Sequence, residues 1–277
     1  MIAEERLKAA DLTRSLAELQ AEVRRAPADA KKRVFLFQLL CVMGQWDRAL
    51  TQLQVIGELD AGALPMVLTY RDALRCELLR EKVFAGQSSP LIFGDPQRWV
   101  ALMVEALRMD AQGAYAEAQQ LRDQAFAGAP ASAGTLDAEP FEWIADADPR
   151  LGPIIEAVIE GKYYWVPWVH VSALRLNPPE DLRDLVWLAG EFTWSNGGAA
   201  VGLIPTRYVH SAAAADDRIR LARQTEWQEP APGVYQGIGQ RMFATDRGEY
   251  PLLEVREIAL SAAQASGEAG VAATTDG

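Results

Sequence analysis

The residues of this chain whose types and spacing could do chemistry are two carboxylates, Asp146 and Asp148, separated by one alanine. On a single turn such a pair can hold a hard cation or divide the roles of general acid and general base, as a carboxylate- or metal-dependent hydrolase requires. The competing reading is local: Asp148 stands before Pro149, so it can cap a helix that Pro149 begins, with Asp146 adding favourable charge at the same N-terminus. Nucleophilic catalysis needs a base beside a Ser or Cys, and the histidines are His170, in an aromatic segment, and His210, next to a Ser/Ala-rich one. Neither neighbours a nucleophile elbow. No G-x-x-x-x-G-K-[ST] phosphate loop occurs, and Gly237-Ile238-Gly239-Gln240 lacks the third glycine of a dinucleotide fingerprint and follows no βαβ pattern. Cys41 and Cys76 lie among apolar helix formers with no second pair, the pattern of buried thiols. No metal site, cofactor or catalytic residue is assigned.

The elements that would position these groups fall into two kinds. Leu12, Leu16, Leu19 and Val23 recur at the helical period and end in Arg24-Arg25 before Pro27. A second run from Val34 to Met43 stops at Gly44 and restarts with Trp46, Ala49, Leu50 and Leu53. The turn Gly44-Gln45-Trp46-Asp47-Arg48-Ala49 has the Gly–aromatic–Ala spacing of a TPR hairpin. Gly113, Tyr115 and Ala118 repeat it 69 residues later, close to twice the TPR period of about 34. The intervening unit is irregular: a long helix from Pro65 to Lys82, a Gly/Pro-containing connector from Gly86 to Pro96, then a helix around Trp99 to Ala106. Residues 4–130 thus read as three to four TPR-like hairpins, with Trp46 and Tyr115 filling the groove of the next helix.

After an Ala/Gly/Pro/Ser run from Ala127 to Leu136 the apolar period changes to two. One helix is expected from Asp148-Pro149 through Ile154, Ile155, Val158 and Ile159 to Gly161. Strand-like segments follow at Tyr163–Leu176, Leu185–Trp194, Ala200–Tyr208, Gln224–Glu229, Ile238–Thr245 and Leu252–Leu260. Ser195-Asn196-Gly197-Gly198 supplies the positive-φ residues of a hairpin turn. The expected fold is α+β: an N-terminal TPR-like helical array (1–130), a mostly antiparallel, β-rich domain (131–260) forming a curled sheet or small barrel, and a disordered Ala/Gly/Ser/Thr tail (261–277). In Tyr163-Tyr164-Trp165-Val166-Pro167-Trp168, alternation sets Tyr163 and Trp165 on one face and Tyr164, Val166 and Trp168 on the other, one set for the core and the other for a neighbour, with core packing of both as the alternative.

Charge narrows the partners. Residues 1–130 carry 16 Lys/Arg against 17 Asp/Glu, and residues 131–277 carry 11 against 21. A domain at net −10 repels phosphate backbones and anionic membrane surfaces, which excludes nucleic acid and membrane as expected partners. With no apolar run of membrane-spanning length and no signal-peptide core, the expected compartment is the cytoplasm. Trp165, Trp168, Arg207, Tyr208, Arg223, Glu226, Trp227 and Arg241 are the candidate partner-binding or motif residues; in so acidic a domain internal pairing of the arginines with Asp or Glu is favoured over a partner-facing role.

In order along the chain, the motifs resemble the ImpE/TagJ family of type VI secretion accessory proteins. They include Phe35-Leu36-Phe37-Gln38-Leu39-Leu40, Gly44-Gln45-Trp46-Asp47-Arg48-Ala49-Leu50, and Val83-Phe84-Ala85-Gly86 followed by Pro90, Gly94, Pro96 and Trp99. Further on come Phe141-Glu142-Trp143-Ile144-Ala145-Asp146-Ala147-Asp148, Gly161-Lys162-Tyr163-Tyr164-Trp165-Val166-Pro167, Ile204-Pro205-Thr206-Arg207-Tyr208, Arg223-Gln224-Thr225-Glu226-Trp227 and Gly239-Gln240-Arg241. The resemblance spans roughly residues 9–260 and implies a non-enzymatic cytoplasmic adaptor. Such an adaptor would bind the small contractile-sheath subunit through a short amphipathic helix and act indirectly with the ClpV-type ATPase that disassembles the sheath. The alternatives are the hydrolase at Asp146 and Asp148, and a stable structural subunit of the secretion apparatus.

Overall fold

The computed structural model describes residues 10–95 and 97–261; the tail expected to be disordered lies, from residue 262 on, outside the described residues. Among the described residues the first six α-helices are α1 (Leu12–Arg25), α2 (Ala30–Val42), α3 (Trp46–Leu59), α4 (Leu64–Phe84), α5 (Arg98–Ala111) and α6 (Tyr115–Gly128). Asp11 and Asp29 cap α1 and α2 by accepting backbone N–H groups of the first turn. The two repeated turns have one geometry. At Gly44 (φ 66°) and Gly113 (φ 76°) the glycine N–H bonds the carbonyl three residues back, and the next N–H reaches five residues back, to Leu40 and Met109. This is the Schellman arrangement, which needs a left-handed residue at the helix end. Ala49 and Ala118, four residues into the pairing, are fully buried.

The two glycines differ in surroundings. A Cβ on Gly44 would come within 2.7 Å of Ala212 Cβ, whereas one on Gly113 would meet nothing within 4 Å. Gly113→Ala is expected to cost the left-handed penalty of roughly 1–2 kcal/mol alone. Gly44→Ala should cost measurably more in urea unfolding, and equal losses at the two sites would contradict this.

The sheets follow. Strands β1 (Leu91–Ile92), β2 (Gly134–Leu136), β3 (Glu139–Phe141), β4 (Ile144–Asp146), β5 (Ile154–Ile159), β6 (Lys162–Pro167), β7 (Val171–Leu176), β8 (Trp187–Trp194) and β9 (Ala199–Pro205) precede a one-turn helix α7 (Asp217–Arg220). After it come β10 (Thr225–Ala231), β11 (Val234–Gly239), β12 (Met242–Thr245), β13 (Gly248–Pro251) and β14 (Glu257–Leu260). Nine of them form one sheet in the order β1-β6-β5-β9-β8-β7-β14-β2-β3, antiparallel except for the parallel β1–β6 pair. The order leaves β1 and β3 as edges, so the sheet stays open and does not close into a barrel. β13-β12-β4 and β10-β11 make two smaller sheets. The β8–β9 hairpin turns at the expected place, but Gly197 alone takes positive φ (86°) while Asn196 does not.

The helix expected over 149–160 is instead β5. Its Ile154, Ile155, Val158 and Ile159 satisfy helical spacing, yet all six positions of the strand are buried, three on each face. A short apolar run buried on both sides has no period that separates strand from helix, and its β-branched content decides for the strand. One face of the large sheet packs on the helices through Ile154, Val158, Tyr163, Trp165, Trp187 and Leu203. The other encloses a second core with Ile155, Val166, Trp168, Phe192, Phe243 and Ile258. One surface of the helical array is therefore occupied by the chain's own sheet. Trp46 lies 6.0 Å from Trp187 on β8, and Phe84 lies 6.3 Å from Trp165 on β6. Tyr115, the repeat partner of Trp46, is half-buried at the start of α6.

Helix ends fix the two halves together. Arg207 has a buried guanidinium that donates to Val42 O (2.8 Å) and Cys41 O (3.4 Å), the last carbonyls of α2. Asp217 accepts from Leu12 N (2.8 Å) at the start of α1. Each places charge where the helix dipole favours it.

Candidate functional site

Asp146 and Asp148 converge on arginines. Arg241 binds Asp146 Oδ2 through Nε (3.0 Å) and Nη2 (2.7 Å), while Tyr208 OH (3.0 Å) and Asp148 N (2.9 Å) donate to Asp146 Oδ1. Asp148 accepts from Arg150 Nε (3.0 Å) and from Gly237 N (2.8 Å). Asp148 therefore does not cap an α-helix, as the sequence suggested. It accepts Arg150 N in a local turn at the end of β4 and ties that turn to β11. A second acid, Glu156 on β5, takes Arg80 Nε (2.6 Å) and Nη2 (3.0 Å), Arg241 Nη1 (3.2 Å) and the Tyr163 hydroxyl. Arg80 also reaches Glu77 (2.9 Å), whose other oxygen accepts from Trp187 Nε1 (3.1 Å). Each of these charged side chains is buried and faces an opposite charge. No group of three or more His, Cys, Asp or Glu able to hold a metal occurs among the described residues.

Burial pushes the Asp146 carboxyl from 3.8 up to about 6, against the pull of Arg241. Glu156 goes the other way: burial raises it, but Arg80 and Arg241 together hold it below its usual 4.5. Because Asp146 in the folded chain keeps a proton that the unfolded chain releases, its stabilising contribution is complete below pH ~4 and is lost as pH rises to ~6, about 3 kcal/mol. Glu156 acts oppositely, stabilising above its unfolded pKa and failing at lower pH. In urea unfolding between pH 4 and 7, the parent is expected to carry a decline between pH 4 and 6 that Asp146→Asn removes; an unchanged slope would contradict this.

The segment from Ile144 to Arg150 alternates. Ile144, Asp146, Asp148 and Arg150 point inward, and Ala145, Ala147 and Pro149 point out. The outward set forms the floor of a groove made of two hollows of about 490 and 510 Å³ that meet at Ala147, Pro149 and Glu249. Its walls are Phe126 of α6 and Trp143 on one side, and Trp227 and Tyr235 of the β10–β11 hairpin on the other. These rings are 39%, 40%, 37% and 50% exposed. Gly152, at φ 50°, lets Phe126 lie against the loop, since a Cβ there would meet its ring at 2.5 Å. Tyr208 connects the buried network to this wall, with its ring over Gly237 and 5.8 Å from Trp227. The buried acids thus hold the loop whose other face lines the groove.

Of the residues singled out in the sequence, Trp165, Trp168, Arg207, Tyr208 and Arg241 are buried, and Arg207 and Tyr208 line a cavity of about 200 Å³. Trp227, Glu226 and Arg223 are exposed at or beside β10, and Trp227 lines the groove. Phe126, Trp143 and Tyr235 were not among the residues singled out for partner contact, since single aromatics far apart in sequence carry no joint signal. His170 and His210 do not meet Asp146 or Asp148 in any hydrogen bond described above. His210, in left-handed conformation, lines a separate polar cavity of about 200 Å³ beside Arg80 and Trp46. Cys41 and Cys76 are both free and buried, as expected.

These features define an α+β protein in which a TPR-like helical array is docked on an antiparallel sheet, with an open aromatic groove beside the junction. The ImpE protein family model matches residues 138–259. The chain is 51% identical over 258 residues to the type VI secretion system accessory component TagJ of Pseudomonas aeruginosa, covering 93% of this chain and 90% of that protein. The chain belongs to the ImpE/TagJ family of type VI secretion accessory proteins. The crystal structure of Vibrio parahaemolyticus protein VPA1032 superposes with a TM-score of 0.87 at 24% identity, covering 94% of this chain and 98% of that one, and shows the same fold. Among the described residues no helix is long and apolar enough to cross a membrane.

Proposed function

We propose that this protein is a non-enzymatic adaptor of the type VI secretion system that binds the small contractile-sheath subunit through a short segment of it, and so assists a ClpV-type ATPase in sheath disassembly. The observation that carries this reading is the groove. Four large aromatic side chains from α6, the loop before β4 and the β10–β11 hairpin stay exposed around one hollow surface, where a monomer would otherwise gain by burying them. The buried acids support the same reading, because Asp146 and Asp148 have their oxygens committed to arginine, tyrosine and backbone donors.

Isothermal calorimetry with the purified small sheath subunit tests this. Binding at micromolar concentration or tighter is expected, and the Trp143→Ala, Trp227→Ala double variant should weaken it by at least about tenfold, as loss of aromatic anchors does. No heat of binding at micromolar concentrations would sink the adaptor reading.

A further inference from the structure

Resting on the adaptor reading for its biological setting, we infer that the groove selects a segment in which two apolar anchors flank a lysine or arginine, with the cation meeting Glu249 where the two hollows join. Glu249 is exposed on β13. The register places Ala145 beside Ala244 and Ala244 beside Glu249, so the three form one row across the small sheet. That row ends in a carboxylate lying between the Phe126–Trp143 hollow and the Trp227–Tyr235 hollow. No lysine or arginine lines either hollow, and Gln119 is the polar neighbour on the helical side. Glu226 and Glu229 stand on the same hairpin as Trp227, and Glu229 holds Gly233 N (2.8 Å) at the end of the second hollow. The local field is therefore negative, in keeping with the net −10 of residues 131–277.

The chemistry follows from this arrangement. An apolar segment alone would fill both hollows but leave the carboxylate between them partly desolvated and unpaired, which costs free energy. An acidic residue at that point would add like-charge repulsion. A lysine or arginine converts the same position into a charge-assisted contact while its methylene stem lies on Ala147 and Pro149. Each hollow lies within the size range of about 300–1,000 Å³ that encloses small groups of side chains or ligands. Charge at one point thus decides which apolar segments the groove accepts, the usual route by which a rim carboxylate confers specificity.

The test uses two synthetic amphipathic peptides identical in their Leu and Phe positions, one with Lys and the other with Glu between the apolar groups, titrated into the full chain by calorimetry and tryptophan fluorescence. The Lys peptide is expected to bind about tenfold more tightly than the Glu peptide, to lose affinity in high salt, and to be displaced in preference by the Glu peptide in Glu249→Lys. Glu249 lies on an exposed edge strand, so the variant should fold, and circular dichroism would confirm it. Equal affinity of both peptides, binding of neither, or an unchanged preference in Glu249→Lys overturns the inference. Titrating the sheath subunit in parallel separates the two ideas. Equal binding of that subunit to parent and Glu249→Lys overturns the charge selection at Glu249 and leaves the adaptor reading intact. Peptide selectivity without subunit binding removes the sheath subunit as partner and leaves the groove chemistry standing.

Discussion

Arg241→Ala is expected to destabilise the protein by about 3–5 kcal/mol, the loss that follows when one partner of a buried ion pair is removed. Arg241 is fully buried and serves two acids at once, Asp146 through Nε and Nη2 and Glu156 through Nη1, while also donating to Pro205 O at 3.3 Å. Without it both carboxylates remain in the interior with fewer donors, and the Ile144–Arg150 segment loses the anchor that turns Ala145, Ala147 and Pro149 outward. Two measurements should move together: the urea midpoint falls, and the fluorescence of the exposed Trp143 and Trp227 changes as the groove floor loosens. Arg241→Lys is expected to recover part of the loss, because an ammonium restores the charge but cannot span two acids as the planar guanidinium does. Full recovery by lysine would show that charge alone matters and that the fork geometry does not.

Arg80→Ala is the second large effect, again about 3–5 kcal/mol, and its signature differs. Arg80 sits about one turn from the C-terminal end of α4 and binds Glu77 on its own helix, Glu156 on β5 and the carbonyl of Arg207 (2.9 Å), with its guanidinium 5.5 Å from the Phe84 ring. It is thus one charged link between helical array and sheet, beside those of Arg207 and Asp217 at the helix ends. Loss of Arg80 should weaken docking of the helices more than either half's internal packing. The expected result is a broadened unfolding transition and faster proteolysis in the connector between α4 and α5. A single sharp transition at a merely lower midpoint would place Arg80's role in general core stability. The surface pair Arg108–Glu105 (2.7 Å), on the exposed side of α5, is the control, and Arg108→Ala is expected to leave the transition where it was.

Much of this molecule was legible before folding. Helical periods at Leu12–Val23 and Val34–Leu53, stopped by Gly44 and repeated at Gly113, specify hairpins because a left-handed glycine and a small buried alanine leave few other solutions. The strand content of the second half followed from period-two apolar patterning and the Asn-Gly turn, and the order of motifs was enough to point to the family. The alternation within Tyr163–Trp168 also survives folding, but both faces find cores: Tyr163 and Trp165 meet the helices, and Val166 and Trp168 meet the second core. Where the sequence left one face for a neighbour, the neighbour is the chain itself.

What the tertiary structure alone decided is where the charges went and which aromatics were left over. Ile144-x-Asp146-x-Asp148-x-Arg150 has a period of two, but its inward members are mostly ionic, and a pattern that marks burial by hydrophobicity cannot register burial by pairing. The partners that make that burial tolerable, Arg80, Glu156, Tyr208 and Arg241, lie scattered from α4 to the link between β11 and β12. The groove has the same origin. Phe126, Trp143, Trp227 and Tyr235 are more than a hundred residues apart end to end, and each by itself looks like core. Exposure is a property of the assembled surface: a ring becomes a contact site only when no other element of the fold arrives to cover it.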